Sequence, residues 1–222
     1  MAEVLEYPDE RILEKVELCY GLLKEHYPDG AEPFSHLRDF VKTADLHRLQ
    51  EIYTRTFHIQ AICYLDLGYV MFGEDYKRGE FLVNMKSEMD RAGIDCGVEL
   101  ADNLMNILKL MIVHSDKEFI EELTTKVTIP SIKQMLAEFD ISRIALKQKV
   151  LKKMHRALIQ ADEKNINIYH HFLNSLLEVI LADLPAQLQE EAKPDPLLAG
   201  LNHLYCNGCP PASSGSFLGS KN

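Results

Sequence analysis

Residues 53–82 read YTRTFHIQAICYLDLGYVMFGEDYKRGEFL. The aromatic residues Tyr53, Phe57, Tyr64, Tyr69 and Phe72 precede a short charged connection, Gly73-Glu74-Asp75-Tyr76-Lys77-Arg78-Gly79. Tyr64, Leu65, Leu67, Val70, Met71 and Phe72 are apolar enough to fill the middle of a helical bundle, and an aromatic stripe at helical spacing is more often core than ligand box. The connection carries charges of both signs. Asp75 is suited to cap the helix that follows, because its side-chain oxygen can accept from a first-turn N–H. Arg78, in that first turn, sits where the helix dipole disfavours a cation, so it calls for a specific acceptor. Aromatics close to such a segment are costly to leave uncovered and are enriched where partners dock. The stretch therefore reads as a binding surface built onto a core.

Outward from it, the pattern is helical. Between Phe34 and Leu184 the only proline is Pro130, and apolar residues recur at three- and four-residue intervals. A first stripe, Ile12, Leu13, Val16, Cys19, Tyr20 and Leu23, follows Pro8-Asp9 and ends at the turn residues Tyr27-Pro28-Asp29-Gly30. Leu100, Leu104, Ile107, Leu108 and Met111 form a second, and Phe172, Leu173, Leu176, Leu177, Ile180 and Leu181 a third. A shorter one, Ile132, Met135, Leu136 and Phe139, comes after Pro130, which suits a first helical turn. Sustained period-two alternation is absent, so a sheet has no support. Gly73, Gly93 and Gly97 separate helices, not domains. The expected fold is all-α, a single-domain helical bundle over residues 1–184. From Pro185 onward the chain is rich in Pro, Gly and Ser, and residues 185–222 are expected to be a poorly ordered tail.

With 222 residues, of which 46% are hydrophobic, the chain can build one sizeable core without staples. No apolar run approaches the roughly 18–20 residues that cross a bilayer. The opening MAEVLEYPDE is acidic where a secretory leader is basic, so a cytoplasmic location is expected. The cysteines, Cys19, Cys63, Cys96, Cys206 and Cys209, are odd in number and scattered, which fits reduced thiols. A net charge of -10 argues against nucleic-acid binding, which depends on clustered Lys and Arg, and favours basic or neutral partners. Locally the sign reverses: Arg143, Lys147, Lys149, Lys152, Lys153 and Arg156 occur with no acidic residue among them. Lys149, Lys152, Lys153 and Arg156 share one side of a helix, opposite Ile144, Leu151, Met154 and Leu158. Such a side is ordinarily a solvated face, and otherwise a docking face for an anionic group.

Phosphate-binding Gly-rich loops and nucleophile elbows are missing from the sequence, which moves nucleotide-dependent enzymes and common hydrolases down. None of the histidines has Glu three residues before it, so a carboxylate-bridged di-iron site has no support. His203-x-x-Cys206-x-x-Cys209 supplies three metal-ligating residue types in seven positions, too few for a closed structural site without a fourth ligand. A redox-sensing or metal-binding role for that group stays open, as does permanent membership of a larger complex. The adjacent His170 and His171 fit one ring at the core edge and one in water.

The residues of the opening stretch resemble a known family. Tyr53-x-x-x-Phe57, Tyr64-Leu65, Gly73 and Arg78-Gly79 followed by Phe81-Leu82 are similar to the signature of NarJ-type (nitrate reductase delta subunit) molybdoenzyme assembly chaperones, within the wider TorD-like group. Leu5-Glu6-Tyr7-Pro8-Asp9 and Glu99-Leu100-Ala101-Asp102-Asn103-Leu104 resemble two further elements, in the same order, and the likeness covers about residues 4–113. His58 and Lys77 stand where the family often has Asp. The resemblance implies a TorD-like helical bundle that is no enzyme and holds no cofactor. It implies a chaperone that binds the apo catalytic subunit of a molybdenum-containing oxidoreductase, including an N-terminal leader, and supports cofactor insertion before targeting. It involves neither nucleic acid nor membrane insertion and leaves homodimerisation open. The expected partner-binding residues are Tyr53, Phe57, Tyr64, Tyr69, Phe72, Asp75 and Arg78, with Glu99 and Asp102 nearby. An acidic, ring-lined surface suits an arginine-bearing apolar leader.

Overall fold

Phe34 and Phe172, 138 positions apart in the sequence, meet in the core with ring centroids 6.0 Å apart, and both are fully buried. The computed structural model describes residues 1–153, 168–185 and 188. Its helices are α1 (Ile12–His26), α2 (Pro28–Thr43), α3 (Leu46–Phe57), α4 (Leu67–Phe72) and α5 (Tyr76–Arg91). They continue as α6 (Leu104–Val113), α7 (Lys117–Leu123), α8 (Ile129–Ala137), α9 (Ile141–Lys153) and α10 (Ile168–Asp183). Among the described residues the protein is all-α, with no strand beyond a single antiparallel bridge between Asp66 and Asn103. The chain divides into two units, Met1–Leu184 and Pro185–Asn222, and these helices all lie in the first. The order of the 185–222 tail, the group His203, Cys206 and Cys209, and Arg156 lie outside the described residues.

The α2–α10 pairing is the most extensive in the fold, and α1 packs beside α2. Gly30 makes the close approach possible: a methyl group there would sit 3.2 Å from Val179 Cγ2, while the Ser175 hydroxyl donates to Gly30 O at 2.6 Å. Along α10, Phe172, Leu173, Leu176 and Ile180 are buried as the stripe predicts. In α1, Ile12, Val16, Cys19 and Leu23 point inward, but Leu13 is exposed. The expected turn at Pro28-Asp29-Gly30 is instead the first turn of α2. Only Tyr27 separates the two helices, because Pro28 takes a first-turn position where a missing N–H is harmless.

From α10 the packing continues to α8, from α8 to α4, and from α4 to α5. Pro130 lies in the first turn of α8, but α8 does not start afresh: a five-residue π-turn, Thr124–Thr128, joins it to α7. There Thr124 Oγ1 donates to Ile120 O at 2.6 Å and Thr128 Oγ1 to Leu123 O at 3.1 Å. These side chains bond to carbonyls of the preceding turn, and Pro130 has no N–H of its own to donate. Residues 58–66, expected to be helical, leave the helix after Phe57 and run irregularly, with Gln60 at φ 52°. Leu100 likewise falls outside α6 and is exposed. The amino terminus folds over the bundle: Val4 and Leu5 are buried, and the Tyr53 hydroxyl donates to Leu5 O at 2.8 Å. No described helix is long and apolar enough to cross a membrane.

Candidate functional site

Two short segments are tied together by backbone before any side chain contributes. Leu67 N–H donates to Asp102 O at 2.9 Å, and Leu104 N–H donates to Leu65 O at 2.8 Å. This bridge brings the start of α4 against the start of α6. Asp66 stands at the N-cap of α4, and Asn103 caps α6 by accepting from Met105 N–H at 3.1 Å. Asp75 caps α5, as its sequence position predicts, by accepting from Lys77 N–H at 2.9 Å. The positive φ of Gly73, 60°, turns the chain between α4 and α5 and delivers Arg78 back toward Asp66.

The result is a polar node. Arg78 Nη2 reaches Asp66 Oδ2 at 3.5 Å, and its guanidinium lies over the Tyr69 ring, 5.1 Å from the centroid. Asn103 Nδ2 donates toward Asp66 Oδ1 at 3.5 Å and to Glu99 Oε2 at 3.2 Å. Asp102 is wholly buried, and its Oδ2 accepts the Gly68 N–H at 3.0 Å. A methyl group on Gly68 would lie 2.6 Å from that oxygen and 2.9 Å from Phe81, so only glycine fits there. Burial, reinforced by the Asp66 carboxylate, pushes the Asp102 carboxyl up to about 6, against the lowering influence of Arg78 and the Gly68 N–H. Asp102 Oδ1 and Arg78 Nε are buried without a hydrogen-bond partner, each at a cost of roughly 1–3 kcal/mol. Two carboxylates, Asp66 and Asp102, thus face one loosely held guanidinium, and a third, Glu99, joins them through Asn103.

Beyond Tyr69 the node opens onto a cavity of about 230 Å³ lined by Cys63, Tyr64, Tyr69, Val70, Met135, Glu138 and Lys147, among others. Tyr64 stands edge-on to Tyr69 with centroids 4.6 Å apart and is 38% exposed. Burial raises the Cys63 thiol to about 12, so it stays protonated.

Arg78, Tyr69, Tyr64, Glu99 and Asp102 are therefore brought together, with Asp75 one turn away as a cap. Phe72 stands edge-on to Phe81, with centroids 5.9 Å apart, at the edge of the same region. Tyr53 and Phe57 differ from expectation: they are 4% and 3% exposed and form an interior aromatic cluster with Tyr169, which leaves no ring face for a partner. Burial pushes the Tyr53 and Tyr169 hydroxyls up. Asp66, Gly68 and Asn103 escaped the sequence reading; the one local signal was Asp66 ahead of an apolar run, an N-cap pattern. His170 and His171 are both half-buried, where one was expected in water: His171 stacks on His36 at 4.1 Å and His170 stands against Phe139. Cys19, Cys63 and Cys96 are free thiols, and among the described residues no group of three or more His, Cys, Asp or Glu is placed to hold a metal ion.

Comparison with protein-family models and with curated proteins gave no match to the chain.

Proposed function

We propose that this protein is a cytoplasmic, non-catalytic assembly chaperone of the NarJ type, which binds the immature catalytic subunit of a molybdenum-containing oxidoreductase during cofactor insertion. The observation that carries the reading is convergence. Arg78 and the pair Glu99 and Asp102, which belong to two separate elements of the sequence resemblance, meet at one part-buried node beside an aromatic cavity. A site with an excess of carboxylate and exposed tyrosine suits a basic, apolar segment, because carboxylates hold guanidinium groups bidentately and rings pack the apolar part. The docking surface is Tyr64, Tyr69, Phe72 and Arg78, with Asp66 and Glu99 at its rim. Tyr53, Phe57 and Asp102 shape it from inside.

The test is a pull-down with the tagged protein from cells whose molybdenum-cofactor synthesis is blocked, followed by mass spectrometry of what is retained. The expected catch is an apo oxidoreductase catalytic subunit, lost when cofactor synthesis is restored. Retention of a partner at fixed stoichiometry through cofactor loading and high salt would show a permanent subunit and overturn the reading.

A further inference from the structure

Helix α9 is attached to the bundle in an unusual way. None of residues 141–150 is buried, and Ile141, Leu146 and Val150 are 84%, 55% and 48% exposed. Among the described residues its polar attachment runs through one acceptor pair at the mouth of the cavity beside Tyr64 and Tyr69. Lys147 Nζ pairs with Glu138 Oε2 at 2.8 Å and donates to Ile62 O, while Arg143 Nη1 binds Glu138 Oε1. Lys147 is the residue that α9 contributes to the cavity wall.

These contacts form a complete recognition set for a cation: a carboxylate oxygen and a backbone carbonyl, a few ångströms from a hollow walled by Tyr64, Tyr69, Val70 and Met135. Arg143 binds the other oxygen of Glu138, so the carboxylate stays in place when Lys147 leaves. About 230 Å³ is the size of one large side chain and falls short of the roughly 300–1,000 Å³ of small-molecule pockets. Part-exposed ion pairs contribute roughly 0.2–1 kcal/mol, little enough for an incoming cation to replace one.

We propose that this cavity receives an apolar side chain flanked by a Lys or Arg from a bound polypeptide, and that Lys147 occupies the cation position until that segment displaces it and loosens α9 beyond its Arg143 anchor. The inference rests on the chaperone reading only for the source of the segment. Binding thus exchanges one intramolecular cation for an intermolecular one, and the part of α9 beyond Arg143, with its run of basic residues, is loosened as the signal of occupancy.

Cys63 lines the cavity and is 3% exposed, which makes its alkylation a gauge of opening, whereas Cys19, buried in α1, reports on general unfolding. Alkylation by iodoacetamide, followed by mass spectrometry, should run roughly three- to tenfold faster at Cys63 in Lys147→Ala, with Cys19 unchanged. Adding acetyl-arginyl-leucine amide to that variant should slow Cys63 again. The isosteric neutral acetyl-citrullyl-leucine amide should not, and Glu138→Gln in the same background should erase the difference. Unchanged Cys63 reactivity in Lys147→Ala, or equal protection by the two peptides, overturns the proposal. If Lys147→Ala also unmasks Cys19, the unaltered protein decides: the arginyl peptide must raise acetylation of the Lys147 amine by acetic anhydride, and equal acetylation with either peptide refutes displacement. A pull-down without an oxidoreductase subunit, with these results intact, removes the chaperone reading and leaves the cavity chemistry standing.

Discussion

At the α2–α10 seam the buried Ser175 hydroxyl is hydrogen-bonded to Gly30 O, Phe34 packs against Phe172, and the polar groups at the edges are partnered, His36 stacked on His171 and the Tyr27 hydroxyl donating to Asp183. At the node between α4, α5 and α6, wholly buried Asp102 keeps one oxygen unpartnered, and Arg78 holds Asp66 only at 3.5 Å. Both regions are made of amphipathic helices, yet only the first uses its interior entirely for cohesion. The second holds electrostatic groups that the fold alone does not satisfy. Under the proposed function, stability and recognition fall to different parts of one bundle, and substitutions can separate them.

The largest expected effect lies in the seam. Phe172→Ala should lower unfolding stability by about 3–5 kcal/mol, measured by urea denaturation, because the ring is fully enclosed and its neighbours cannot collapse into the space. A loss below about 1 kcal/mol would show that the seam is not the cohesive half. Next comes Gly68→Ala, expected to cost about 1–3 kcal/mol through overpacking against Asp102 and Phe81. It should also displace the Asp102 carboxylate, visible as a shift in that group's titration by NMR.

Asp102→Asn should act in the opposite direction, stabilising the protein at neutral and basic pH by about 1–3 kcal/mol. The wild-type carboxyl titrates near 6 when folded against an ordinary value of 3.8, so its contribution to stability is complete below the lower value and is lost as pH rises through about 6. Stability curves of the two proteins should therefore converge on acidification through that window; parallel curves would refute the burial argument. The seam responds with the other sign. Burial, helped by the neighbouring His36 and His170 and opposed by Glu32, lowers the His171 pKa, so its contribution is present above about 6.5 and fades as pH falls below it. Acid thus loosens α2 from α10 while relieving the node. The smallest change in stability belongs to Arg78→Ala, below about 1 kcal/mol for a long, part-exposed pair, although partner capture in the pull-down should fall severalfold. Normal capture would remove Arg78 from the docking surface.

The helical stripes around Ile132 and Phe172 were legible because burial on one face repeats with the helix period, and the cap at Asp75 because its chemistry is local. Residues 58–66 were not. Their departure from the helix depends on the distant bridge between Asp66 and Asn103 and on the left-handed Gln60, neither of which leaves a periodic trace. Tyr53 and Phe57 were placed on the docking surface because residue type marks an aromatic as sticky without saying which side it faces. Only the third dimension supplies Tyr169 and Leu5 as their covers. Arg78 was readable as a cation needing an acceptor, but not which acceptor.

The widened turn at Thr124–Thr128 has a consequence for how this chain can vary. One surplus residue in an otherwise continuous rod rotates everything downstream by about 100° relative to a regular helix. Ile132 and Met135 owe their inward orientation to that offset. Regularising the backbone with every residue kept would swing the apolar side of α8 out of the core, whereas deleting a single threonine would remove the surplus residue and leave α8 facing inward, so at this point helical regularity and the facing of α8 are reconciled only by a change in chain length.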